Sequence, residues 1–148
     1  MLVSRFIAAP RRAVYDVFMD PQALADWLPP QGMHGEVEAF DPRVGGGYRM
    51  TLTYDVASGG RGKTTNDSDT VAVKFVSLIP GERIVQAAEF ASDDAAYGGT
   101  MTMTWSFAEA PGGTQVAVAV ENAPEGISDD DHAAGIASSL ENLAAWLS

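Results

Sequence analysis

Residues 40–50, Phe-Asp-Pro-Arg-Val-Gly-Gly-Gly-Tyr-Arg-Met, place a proline-fixed turn and a glycine-rich turn directly before an alternating strand, which constrains the fold more than any other stretch. Pro42 presets its own φ, and Gly45, Gly46 and Gly47 tolerate positive φ and close backbone approach. Tyr48, Met50, Leu52 and Tyr54 then fall on one side of a period-two pattern, with Arg49, Thr51, Thr53 and Asp55 on the other. A strand with one apolar face needs a cover for it.

The same alternation recurs downstream. In Thr100–Phe107 every odd position, Met101, Met103, Trp105 and Phe107, is large and apolar, and every even one is a small hydroxyl residue, so one face alone is buried. Pro111-Gly112-Gly113 turns the chain, and Val116, Val118 and Val120 repeat the pattern, with Ala117 and Ala119 opposite. Strand character is expected at 2–7, 35–40, 47–56, 69–79, 83–92, 100–109 and 114–122, the last six forming an antiparallel meander. Residues 57–68 are polar and Gly-rich and read as a mobile surface loop within a hairpin.

Three helices are predicted. Ala9-Pro10 starts one with Val14, Val17 and Phe18 as its buried stripe, and Asp20-Pro21 starts a second, capped by Asp20, with Leu24 and Trp27 on one face before Pro29-Pro30 stops it. At the C-terminus Ser128 caps Asp129, Asp130 and Asp131, whose carboxylates complement the helix dipole. Ile136, Leu140, Leu143 and Leu147 then mark one face of a helix of about 20 residues, about 30 Å long.

At 148 residues and 46% hydrophobic, the chain suits a single domain over 1–148 with a substantial core. Twenty acidic against nine scattered basic residues give a net charge of −11, which argues against nucleic acid and anionic lipid as partners. The absence of cysteine excludes thiolate chemistry and disulfides. No basic N-terminal region precedes a long apolar stretch, and no run approaches a membrane span of roughly 18 residues, so a cytoplasmic chain without membrane insertion is expected.

One strand, two short helices, six strands and a long helix make an α+β order, a curved antiparallel sheet of about seven strands covered by the last helix. A curved sheet does not meet a straight helix along its whole width, and the side chains placed to line the gap are Trp27, Tyr48, Met50, Tyr54, Phe75, Phe90, Met101, Met103, Trp105, Ile136 and Leu140. His132, three positions before Gly135 and four before Ile136, reaches the mouth of such a cavity or packs as an ordinary helix histidine.

This order of elements resembles the helix-grip fold of the START and polyketide-cyclase (SRPBCC) superfamily. The motifs resemble its branch named for the activator of a heat-shock-protein ATPase: Ala9-Pro10 with Val14, Trp27 with Pro29-Pro30, Phe40-Asp41-Pro42-Arg43-Val44-Gly45-Gly46, Tyr48-Arg49-Met50, and His132 with Gly135, Leu140 and Leu143. Where many members carry tryptophan after the helix glycine, this chain has Ile136, which reshapes one cavity wall. The resemblance implies a cavity between sheet and C-terminal helix that holds a hydrophobic small molecule. It also leaves open an enzyme of cyclase, dehydratase or hydrolase type, and a stress-response co-chaperone module with a self-complementary homodimer patch.

Signatures of chemistry are sparse. Gly-x-Ser-x-Gly, Gly-x-x-x-x-Gly-Lys-Ser/Thr and His-Glu-x-x-His are all missing, and Gly45–Gly47 precedes a strand, without the helix dipole that phosphate binding needs, so no cofactor or metal is expected. Three consecutive aspartates point about 100° apart on a helix and do not converge on an ion. His34 is expected in a solvated Gly-flanked loop just before a strand. Gln86, if it shares the face of Ile84 and Phe90, is a buried amide that requires a partner. His132, Tyr48 and Tyr54 are the candidates to move a proton if a reaction occurs.

Overall fold

The computed structural model describes residues 1–55, 68–92 and 94–148. The strands are β1 (Leu2–Ile7), β2 (Met33–Glu38), β3 (Gly47–Tyr54), β4 (Ser68–Ile79), β5 (Arg83–Phe90), β6 (Met101–Ala110) and β7 (Gly113–Glu121). The helices are α1 (Arg11–Phe18), α2 (Pro21–Trp27) and α3 (Asp129–Trp146), with a short 3-10 turn at Ala95–Tyr97 that the sequence pattern did not signal. All strands pair antiparallel in one curled sheet of order β1-β7-β6-β5-β4-β3-β2, and α3 grips its concave face, which is the helix-grip arrangement.

β1 and β2 lie at opposite edges, and the connection between them carries α1 and α2 across the apolar face. Both helix starts obey local chemistry. Asp20 accepts from the N–H groups of Gln22 and Ala23 with Pro21 at the first helical position, and Ser128 accepts from Asp131 N–H at 3.1 Å. Pro10 stands one position earlier than expected, at the N-cap of α1 in extended conformation. Of the polar stretch read as a loop, residues 57–67 lie outside the described residues, and Ser68 already belongs to β4.

The glycine run does what its composition requires. Gly45 has φ +87°, and Gly47 faces Val73 so closely that a Cβ there would overlap the Val73 carbonyl oxygen. That approach lets the entry turn clasp β4: Gly45 N–H donates to Phe75 O and Phe75 N–H to Gly46 O, both at 2.9 Å. A bulge where Val76 and Ser77 stand against Val85 bends β4 further. Phe18 anchors the core at the other end, meeting Trp27, Trp105 and Phe107 edge-on at centroid distances of 4.7, 5.0 and 5.3 Å.

Gly47→Ala is expected to cost at least about 2 kcal/mol, because the β3–β4 backbones must separate, whereas Gly45→Ala, in open space, carries only the positive-φ penalty of about 1–2 kcal/mol. Urea denaturation of the two variants gives that order; equal losses would mean the close approach does not matter.

Candidate functional site

The site begins with how α3 is held. Ser139 Oγ donates to Leu28 O at 2.6 Å, Asn142 Nδ2 donates to Pro29 O at 2.9 Å, and Gln31 N–H donates to Ser138 Oγ at 2.8 Å. The helix is thereby fastened to the α2–β2 connection, and its closest packing is on β1 and α2. Over the middle strands a cavity of about 500 Å³ remains between sheet and helix.

Nine expected residues border it: Tyr48, Met50 and Tyr54 from β3, Phe90 from β5, Met101, Met103 and Trp105 from β6, and His132 and Ile136 from α3. Trp27, Phe75 and Leu140 do not. Trp27 is 1% exposed, turned against Phe18 with its Nε1 donating to Val17 O at 3.2 Å, so it joins α1 to α2 behind the wall. Phe75 is enclosed by Phe40 and Tyr48 at centroid distances of 6.1 and 5.9 Å, and Leu140, one turn beyond Ile136, is fully buried in the closed core.

Several wall residues escaped the sequence reading, and the chief one is Asp69. In the β3–β4 register Tyr48 stands opposite Val73, Met50 opposite Val71 and Leu52 opposite Asp69, so the inward face of β4 runs Phe75, Val73, Val71, Asp69. Asp69 is 1% exposed and borders the cavity. The signal was present as period two counted back from Phe75 along the strand expected at 69–79, but only apolar and aromatic side chains of that face were counted as wall. At the rim the 3-10 turn meets the segment before α3: Gly126 N–H donates to Ala96 O at 2.7 Å, and a Cβ on Gly126 would lie 2.7 Å from Tyr97 Cε1. Gln31, Gly126 and Asp131 are the exposed lining residues and mark where the cavity meets solvent.

Gln86 has the partners its burial demands. Its Oε1 accepts from Trp105 Nε1 at 3.1 Å, and its amide also hydrogen-bonds the Tyr48 hydroxyl, so three residues on three strands share one buried polar link. Burial pushes the Tyr48 phenol far above its usual 10.0, with the Gln86 bond only partly opposing this. Tyr48 therefore stays protonated at physiological pH. His132 is half-buried with its Nδ1 shielded from solvent. His34 lies inside β2 and not in a loop; it alternates to the outer face opposite Thr53, with its Nδ1 3.0 Å from Asp55 Oδ1. Asp129, Asp130 and Asp131 are exposed, and among the described residues no cluster of carboxylates and imidazoles is arranged to hold a metal.

A curled seven-stranded sheet gripped by a C-terminal helix with an apolar cavity between them is the architecture of the SRPBCC superfamily, a fold that binds hydrophobic ligands. The family described as activator of Hsp90 ATPase homolog 1-like protein matches residues 8–148, and the chain belongs to it. Protein CV1439 from Chromobacterium violaceum is similar at 35% identity and TM-score 0.87, over 99% of this chain and 95% of that one. Ms6760 from Mycobacterium smegmatis shares the fold at 18% identity and TM-score 0.75, over 99% and 89%. DynU16, of the dynemicin biosynthetic locus, shares it at 19% identity and TM-score 0.67, over 99% of this chain and 46% of its own. No protein with a curated description matches.

Gln86→Leu is expected to destabilise by about 1–3 kcal/mol, since it strands the buried Trp105 N–H and Tyr48 hydroxyl. Because Tyr48 holds its proton more tightly folded than unfolded, its contribution is complete below pH 10 and is lost as pH rises through the alkaline range. Wild type should lose up to about 1.4 kcal/mol more per pH unit above pH 10 than Tyr48→Phe does, in parallel urea titrations. Parallel slopes would contradict the buried phenol.

Proposed function

We propose that this protein binds a hydrophobic or amphipathic small molecule in the cavity beneath α3 and acts as its carrier or sensor. The observation that carries this reading is the cavity itself: about 500 Å³, lined mainly by apolar side chains, within the range of roughly 300–1,000 Å³ usual for small-molecule sites. Met33, Met50, Met101 and Met103 all border it, and their unbranched, polarizable side chains adapt to a guest without a fixed shape. Apolar burial supplies affinity at about 0.8 kcal/mol for each methylene taken from water. Orientation falls to the few polar wall groups, Tyr54, Asp69, Gln86 and His132.

Membrane residence is not needed for this role, and no described helix is long and apolar enough to cross a bilayer.

Two measurements test the reading. Native mass spectrometry of the protein as purified should show a retained apolar molecule, or a panel of decyl-chain compounds should raise Tm; at a hundred times Kd the gain is about 2.7 kcal/mol. Met103→Trp, which puts an indole into the cavity, should abolish both effects while remaining folded. A protein that retains nothing and is stabilised by no member of the panel overturns the proposal.

A further inference from the structure

The two edges of the sheet are unlike. β2 carries Glu36 and Glu38, charges of the kind that keep an edge from pairing, whereas β1 reads Leu-Val-Ser-Arg-Phe-Ile, with no carboxylate, no proline and no bulge against β7. The hydrogen-bond phase of β1 is fixed by Met1, which exchanges backbone bonds with Val120 at 2.9 and 3.3 Å. Bonded residues alternate along an antiparallel pair, so Val3, Arg5 and Ile7 also turn toward β7, while Leu2, Ser4 and Phe6 turn their N–H and C=O groups outward. No described residue pairs with those outward groups. Leu2 is 70% exposed and Phe6 43%, and both side chains stand on the convex face, because Val3 and Ile7 take the core side.

We infer that β1 is an interface for a second copy of this chain: two β1 strands pair antiparallel about a twofold axis at Ser4, and the two sheets join edge to edge. The edge is its own complement. Outward groups must meet outward groups, so only even-numbered residues of β1 stand opposite one another as bonded pairs. Centred on Ser4, Leu2 lies opposite the partner's Phe6 and Ser4 opposite the partner's Ser4, which gives about six backbone hydrogen bonds and sets the exposed apolar side chains against each other. A shift of the strands by two residues sets Leu2 against the partner's Ser4 and loses that apolar match. Charge favours the same place. Each copy carries a net −11, so copies repel over most of their surface, but β1 offers Arg5 and no carboxylate to the negative field of the other. A contact of one strand per copy falls at the low end of interface sizes, below about 1,200 Å², so the dimer is weak and forms as concentration rises. No residue of β1 lines the cavity, and the pairing stands or falls independently of guest binding.

Sedimentation velocity of the full chain from about 5 to 500 µM at physiological salt should show monomer passing to dimer as concentration rises. Ser4→Pro removes an outward N–H and leaves the bonds to β7 in place, a position where an edge strand tolerates proline. It should raise the dimer dissociation constant about tenfold or more while the fold is retained. Because the chain has no cysteine, Ser4→Cys reports on the axis alone: Cα atoms of a bonded antiparallel pair lie about 5.5 Å apart, within disulfide reach, and mild oxidation should trap a covalent dimer. Gln115→Cys, exposed one strand further in on β7, should not be trapped. Monomer at every concentration overturns the inference. So does a dimer that Ser4→Pro leaves intact, or one that oxidation traps no faster through Ser4→Cys than through Gln115→Cys. Should Ser4→Pro not fold, the trapping of Ser4→Cys decides.

Discussion

Three hydrogen bonds from Ser138, Ser139 and Asn142 to the backbone between Leu28 and Gln31 fix where the C-terminal helix lies, and the cavity follows from that position. Apolar attraction is non-directional and would draw a fully greasy helix down onto the sheet until the space closed. Directional bonds of 2.6–2.9 Å instead fasten α3 to a neighbour beside the sheet. Sinking further would break them and leave the Leu28 and Pro29 carbonyls unsatisfied, at about 1–3 kcal/mol for each buried group. The space under the helix is thus bounded on one side by these polar contacts.

Much of this architecture was legible because its strands bury one face and therefore alternate. Thr100–Phe107 and Gln115–Val120 declare their inner faces residue by residue, and Asp20-Pro21 and Ser128 mark helix starts by chemistry that acts over a few residues. The family motif at Phe40–Gly46 then matched a fold whose topology agrees. Placement within the inner face was less legible. Trp27, Phe75 and Leu140 were placed on the same inner face as the wall residues, yet Phe18 lies over Trp27, Phe40 lies over Phe75, and Leu140 is fully buried. Alternation tells inside from outside; it does not tell wall from interior, because that depends on which long-range neighbour arrives. Asp69 is the converse case, a polar residue of the expected strand that was not named for the wall although its register opposite Leu52 places it inside.

The polar atoms of the cavity divide into two kinds. Tyr48, Gln86 and Trp105 satisfy one another and cross-link β3, β5 and β6, so they stiffen the wall more than they meet a guest. Tyr54, Asp69 and His132 also border the cavity, and among the hydrogen bonds described none joins them to that group.

The strand order has a consequence for synthesis. β1 is made before the other six strands, yet its neighbour in the sheet is β7, and Met1 meets Val120 across 119 positions of chain. At roughly 5–20 residues per second, β1 waits roughly 5–25 s for its mate. Through that interval Leu2 and Phe6, which stay partly exposed even after docking, belong to a bare ribbon with unused backbone donors and acceptors. Pairing of β1 is thus deferred until β7 has been made.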